Sequence, residues 1–150
     1  MFNQEEFEIL KKDALENHIP IIMDDTLEKI KEILEKENPK RILEIGTAVG
    51  YSASMFAKFA PNSIIDTLEL NEERAKEAKE NIEKIGVSER INIYIGNAVE
   101  ILPTFTEKYD IIFMVISMGH YFINDNKLSE NLSKIDVKVK DTSFSFYSDD

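Results

Sequence analysis

The chain of 150 residues contains no cysteine. That absence excludes disulfide scaffolds, thiolate metal centres and cysteine nucleophiles, so any chemistry must rest on oxygen and nitrogen groups. There is also no internal repeat, no low-complexity tract and no Gly/Ser linker, and nothing in the chain marks a second domain. No apolar run approaches the roughly 20 residues needed to span a bilayer. The first residues, with Glu5, Glu6 and Glu8, lack the basic-then-apolar order of a signal peptide. A cytoplasmic address without a membrane partner is expected. Positive charge is in deficit, with 18 Lys and Arg against 29 Asp and Glu, a formal net charge of -11. Such a balance opposes non-specific attraction to polyanions, although a local basic patch can still bind a nucleic acid.

What is present suits a folded domain: 43% hydrophobic and 31% charged residues. Asn3 with Glu6 resembles a helix-capping pair, and Phe7, Leu10, Ala14 and Leu15 fall near one helical face before Pro20. Asp25 with Glu28 repeats the capping pattern ahead of the stripe Leu27, Ile30, Ile33 and Leu34. From Arg41 the period changes. Ile42, Leu43 and Ile45 read as a strand buried on both faces, followed by a helix from Gly50 to Ala60 and a second strand over 64–70.

Asn71 caps a helix with Ala75, Ala78, Ile82 and Ile85 on one side, and Gly86 stops it. Alternating Ile91, Ile93 and Ile95 form a third strand, a short helix begins near Val99, and the apolar run over 111–116 forms a fourth strand. Strand and helix alternate, as in an α/β protein with a mostly parallel sheet and helices on both faces. The expected organisation is one domain over 1–150, with N-terminal helices over 1–40, a cofactor-binding core over 41–121 and an irregular tail over 122–150.

The most informative stretch is Leu43-Glu44-Ile45-Gly46-Thr47-Ala48-Val49-Gly50-Tyr51-Ser52, where a buried strand turns into a helix. Gly46 and Gly50 permit a sharp bend and a close approach of a ligand to the backbone. Only two glycines lie in this turn, where the dinucleotide fingerprint needs three, so a pyrophosphate cofactor is disfavoured. Glu69 ends the second strand, where an acidic residue in such folds accepts hydrogen bonds from ribose hydroxyls.

These residues, with Leu68-Glu69, Gly96-Asn97-Ala98, Glu100-Ile101-Leu102-Pro103, Tyr109-Asp110-Ile111-Ile112-Phe113 and the entry segment Ile19-Pro20-Ile21-Ile22-Met23-Asp24, resemble the class I O-methyltransferases of the catechol/caffeoyl-CoA type. Small bacterial members, including the tRNA 5-hydroxyuridine methyltransferases, are the nearest in pattern, and the resemblance covers about residues 15 to 121. It implies a Rossmann-like fold, S-adenosylmethionine as cofactor, and a small-molecule or tRNA hydroxyl as methyl acceptor. Carried over by position, Glu44 and Gly46 shape the methionine pocket, Ser52 contacts the methionine end and Met23 lies over the cofactor. Glu69 holds the ribose, and Asn97 with Ala98 meets the adenine. Asn97 replaces the family's usual aspartate; an amide still donates and accepts.

The resemblance also implies Mg²⁺, held by an aspartate after the fourth strand and an Asp-Asn pair after the fifth. Val115 stands at the first of these places, and valine cannot ligate a hard cation. Asp141-Thr142 aligns weakly with the pair, leaving Asp141 as the surviving carboxylate. The last strands of the family are missing, as in a truncated or degenerate member, and the exposed sheet edge invites a homodimer. A non-catalytic, cofactor-binding homologue is therefore the alternative to an active enzyme. His120, beside Tyr121 and Phe122, and His18 read as surface or packing residues rather than general bases.

Overall fold

The computed structural model describes residues 1–114. Two helices lead the chain, α1 over Gln4–Glu16 and α2 over Asp24–Glu37, followed by strand β1 over Arg41–Ile45 and helix α3 over Tyr51–Phe59. Next come β2 over Ile64–Glu69, α4 over Glu72–Ile85, β3 over Ile91–Ile95, α5 over Ala98–Ile101 and β4 over Ile111–Met114. All strand pairs are parallel, in the order β3-β2-β1-β4. The order reverses between β1 and β4, and in open α/β sheets ligands bind at the carboxyl ends of the strands beside such a switch point.

Successive residues of a strand face opposite sides, and the sequence uses both sides for burial. Ile42, Ile65 and Ile111 join one apolar cluster with Phe7 of α1, Ile30 of α2 and Phe56 of α3. Leu43, Ile45 and Leu68 join a second cluster with Ala98, Leu102 and Tyr109. Helices α1 to α4 thus cover one face and α5 lies on the other. Phe56 of α3 stacks on Phe113 of β4 with ring centroids 4.3 Å apart.

The helix boundaries follow local chemistry in most places. Asn3 and Asn71 each accept a hydrogen bond from the backbone N–H three residues on, at 3.1 and 3.0 Å. Gly86 ends α4 with a φ of 89°. The second helix departs from the expected cap: Met23 occupies that position in an extended conformation, and Asp25 lies inside the first turn. Its carboxylate accepts from Thr26 N–H at 2.8 Å instead of capping. Leu15 and Ile95 are exposed where the periodicity places them on buried faces. The fourth strand is described only to Met114, so its expected continuation over 115–116 lies outside the described residues, as does His120. His18 is exposed in the turn after α1 with a φ of 56°.

Candidate active site

The turn from β1 to α3 passes through three left-handed residues: Gly46 at φ 103°, Ala48 at φ 49° and Gly50 at φ 88°. Such angles bend the chain sharply, and at Ala48 they carry a cost that a glycine would not. Gly50 has a packing reason as well. A Cβ there would lie 3.1 Å from Ile82 Cγ1 of α4, so this glycine serves helix packing.

Glu44 is fully buried and belongs to the face of β1 that carries Ile42. The hydroxyl of Ser52, in the first turn of α3, donates to one carboxylate oxygen. Thr67 Oγ1 on β2 donates to the other at 2.6 Å, and Thr47 Oγ1 lies 2.7 Å from Thr67 Oγ1. Thr67 has one proton and gives it to Glu44, so Thr47 donates to Thr67. Burial pushes the Glu44 carboxyl up to about 7; the hydrogen bonds from Ser52 and Thr67 act downward, and the nearby charge of Glu69 upward. The two hydroxyl donors were not foreseen as a set. Thr47 is visible in the turn, but Thr67 becomes relevant only once β2 pairs with β1 and places it opposite Glu44.

Glu69, at the carboxyl end of β2, is 6% exposed. Its oxygens accept from Ala48 N–H at 2.7 Å and from Asn71 N–H at 3.0 Å. These bonds use two of the roughly four acceptor directions of a carboxylate and fix its orientation. They also tie the glycine turn to β2, as does the bond from Gly46 N–H to the Leu68 carbonyl at 2.8 Å. The Gly96 N–H donates to the Glu69 carbonyl at 2.9 Å, bringing the β3–α5 turn to the same place. In that turn Asn97 is exposed and its side chain accepts from Val99 N–H at 2.9 Å, while the Ala98 side chain is buried in the second cluster.

A narrow cleft lies over the turn, lined by Pro20, Ile21 and Ile22 on one side and by Gly46, Thr47 and Ser52 among others on the other. Glu44 accepts from Ser52 of this wall and is linked to Thr47 through Thr67. Met23, one residue beyond the cleft wall, is half-buried at the start of α2. Six of the seven expected cofactor positions therefore gather on the β1–α3 turn and the carboxyl ends of β2 and β3, with Met23 at the rim. A wider depression of about 900 Å³ lies elsewhere, between α4 and β3, with Glu72, Lys76, Lys79 and Glu83 on its wall. It lacks the buried carboxylates and convergent backbone groups of the turn. Among the described residues no group of acidic and histidine side chains is arranged to hold a metal; Val115 and Asp141 lie outside them.

A parallel sheet of this order, with a glycine turn after β1 and an acidic residue ending β2, defines a Rossmann-like α/β fold. The O-methyltransferase family model matches residues 4–141, and the chain belongs to that family. It is 38% identical over 80 residues to a catechol O-methyltransferase of Niastella koreensis, an alignment covering 50% of this chain and 36% of the relative. A caffeoyl-CoA O-methyltransferase-like structure from Staphylococcus aureus superposes with a TM-score of 0.76 at 33% identity, covering 88% of this chain and 61% of that one. The O-methyltransferase of Bacillus cereus, solved with S-adenosylhomocysteine, gives 0.65 at 26% identity, covering 75% and 54%. The chain spans less than two thirds of the length of each.

Proposed function

We propose that the chain binds S-adenosylmethionine and transfers its methyl group to a hydroxyl of a small molecule or a modified tRNA uridine. The observation that carries this reading is the pairing of two buried carboxylates beside one turn: Glu69 fixed by the Ala48 amide of the β1–α3 turn and the Asn71 amide after β2, and Glu44 held by the hydroxyls of Ser52 and Thr67. The first suits a ribose, whose hydroxyls are donors; the second suits the α-ammonium group of an amino-acid end. The cofactor, when bound, would supply an electrophilic methyl on a sulfonium: the S–CH3 bond would break as the O–CH3 bond forms in line, leaving S-adenosylhomocysteine, with the hydroxyl proton of the acceptor released to solvent. This chain's residues contribute alignment and charge complementarity, the main sources of rate in such a transfer. Glu69 orients the ribose, Gly46 and Ser52 seat the methionine end, Met23 closes over it, and Asn97 with the backbone of Ala98 faces the adenine.

Calorimetric titration tests the reading. Saturable binding of S-adenosylmethionine and S-adenosylhomocysteine is expected, weakened at least about tenfold in Glu69→Ala, the loss of charge-assisted bonds to two donors. Saturable binding of NAD with no response to either sulfur compound would overturn it.

A second reading, a cofactor-binding homologue without turnover, is favoured by Val115 at the expected metal position. Methylation of a catechol or of 5-hydroxyuridine tRNA, assayed with and without Mg²⁺, separates the two. Mg²⁺ stimulation that disappears in Asp141→Ala would overturn the idea that the metal site is broken.

A further inference from the structure

Glu44 presents a charge problem that the fold solves only in part. Its carboxylate is wholly buried, and among the described residues its hydrogen-bond partners are the hydroxyls of Ser52 and Thr67, with no Lys, Arg or His in an ion pair. The charged group acting on it from β2 is Glu69, of like sign; α3 contributes the neutral Ser52, the turn contributes the neutral Thr47, and β4 sets Phe113 opposite it. Every hydroxyl proton in the set runs toward the carboxylate, from Thr47 to Thr67 to Glu44 and from Ser52 to Glu44. That pattern stabilises an anion, since a protonated carboxyl would need one of these donors to turn and accept. A buried anion with donors but no counter-ion is incomplete until a cation arrives.

We propose that Thr67, backed by Thr47, is a specificity-determining positioning residue: it keeps the charge of Glu44 available behind the cleft, so that the pocket selects ligands with a cationic methionine end over neutral nucleosides. The inference rests on the cofactor reading above and adds to it how the pocket discriminates by charge. Thr67 does not touch the ligand in this scheme; it acts through Glu44. The consequence is a pH-dependent choice of ligand. As pH falls and Glu44 takes up a proton, affinity for a cationic ligand drops, approaching tenfold per pH unit, while affinity for a neutral nucleoside does not.

The test is calorimetry on the full chain between about pH 5.5 and 7.5, below the range in which a free α-amino group titrates. The probes are S-adenosylmethionine and 5′-methylthioadenosine, which keeps the adenosine and thioether but lacks both the sulfonium and the amino acid. The wild type is expected to lose at least about tenfold in affinity for S-adenosylmethionine across this range and to hold its affinity for 5′-methylthioadenosine within about twofold. In Thr67→Val, loss of a hydrogen bond to the charged form raises the midpoint by about one pH unit, and Thr67→Ser, which keeps the hydroxyl, restores it. Thr47→Val shifts the midpoint the same way by less. In Glu44→Gln the pH dependence disappears.

A flat profile for S-adenosylmethionine in the wild type, with both ligands bound, would overturn the inference and leave the cofactor reading intact. Identical midpoints in Thr67→Val and Thr67→Ser would also overturn it, because the hydroxyl would then not be the operative group. Failure of the wild type to bind either ligand at any pH would instead remove the cofactor reading itself.

Discussion

Glu44 and Ala48 show how single residues on this turn accept a cost. For Glu44 the cost is electrostatic and depends on pH. The folded carboxyl keeps its proton up to about 7 and the unfolded one only to about 4.5, so the folded state binds more protons between these values. Its contribution is most favourable below 4.5 and is lost as pH rises through 7. Relative to Glu44→Gln, the wild type should therefore lose about 3 kcal/mol of stability between pH 5 and pH 8, read from urea titrations at the two pH values. A constant difference would show that the buried group does not change charge in this interval. For Ala48 the cost is conformational, a φ of 49° in a residue with a Cβ. Ala48→Gly should leave stability unchanged or raise it by up to about 1 kcal/mol, unlike a glycine placed in a helix, because it relieves the left-handed strain while keeping the N–H to Glu69.

Asp66 makes the corresponding point on the other face of the sheet. Its carboxylate accepts from Arg41 at 2.8 Å, Tyr109 at 2.6 Å and Asn92 at 2.9 Å. Burial, then the bond to Asp66, pushes the Tyr109 phenol above its ordinary value. Replacing Asp66 by Ala leaves three polar groups without their acceptor and should cost about 3–5 kcal/mol in the urea transition. A loss below about 1 kcal/mol would mean that water replaces the carboxylate.

At the scale of elements, the contact between the start of α3 and α4 is the most exacting. Gly50 has a φ of 88°, and an added Cβ would press on Ile82 at 3.1 Å. Gly50→Ala should cost about 2 kcal/mol or more, from strain and overpacking together, checked by chemical denaturation. Most elements were legible from the sequence because their periodicity and caps agree. Asn3, Asn71 and Gly86 stand at helix ends, and Ile42, Leu43 and Ile45 mark a strand buried on both faces. The misses have tertiary causes. Ile95 alternates correctly with Ile91 and Ile93, yet it is 54% exposed because the broad depression between α4 and β3 opens beside it. Asp25 matches a cap only in isolation, since the extended backbone of Met23 starts α2 two residues earlier. Within the candidate site, Glu69 was legible from its place at a strand end and Glu44 from the family resemblance of its motif, whereas Thr67 was not. Its partner lies 23 residues away in the chain and is supplied by the β1–β2 register.

For the molecule as a whole, ligand binding and folding are linked. A ligand that binds only the folded chain adds about 2.7 kcal/mol at a hundred times its Kd. S-adenosylhomocysteine at that level should thus raise the thermal midpoint by about 5–10 °C, and NAD should leave it unmoved. No helix of the described residues is long and apolar enough to cross a membrane.

The strand order carries a consequence in time as well as in space. β1 pairs with β2 and β2 with β3, and among the described strands β4 alone returns across the sheet to the far side of β1. The chain is translated from its N-terminal end. Glu44, Glu69 and Asn97 all precede β4 in that order, so the residues proposed to face the nucleotide are synthesised before the strand that flanks β1 on its other side.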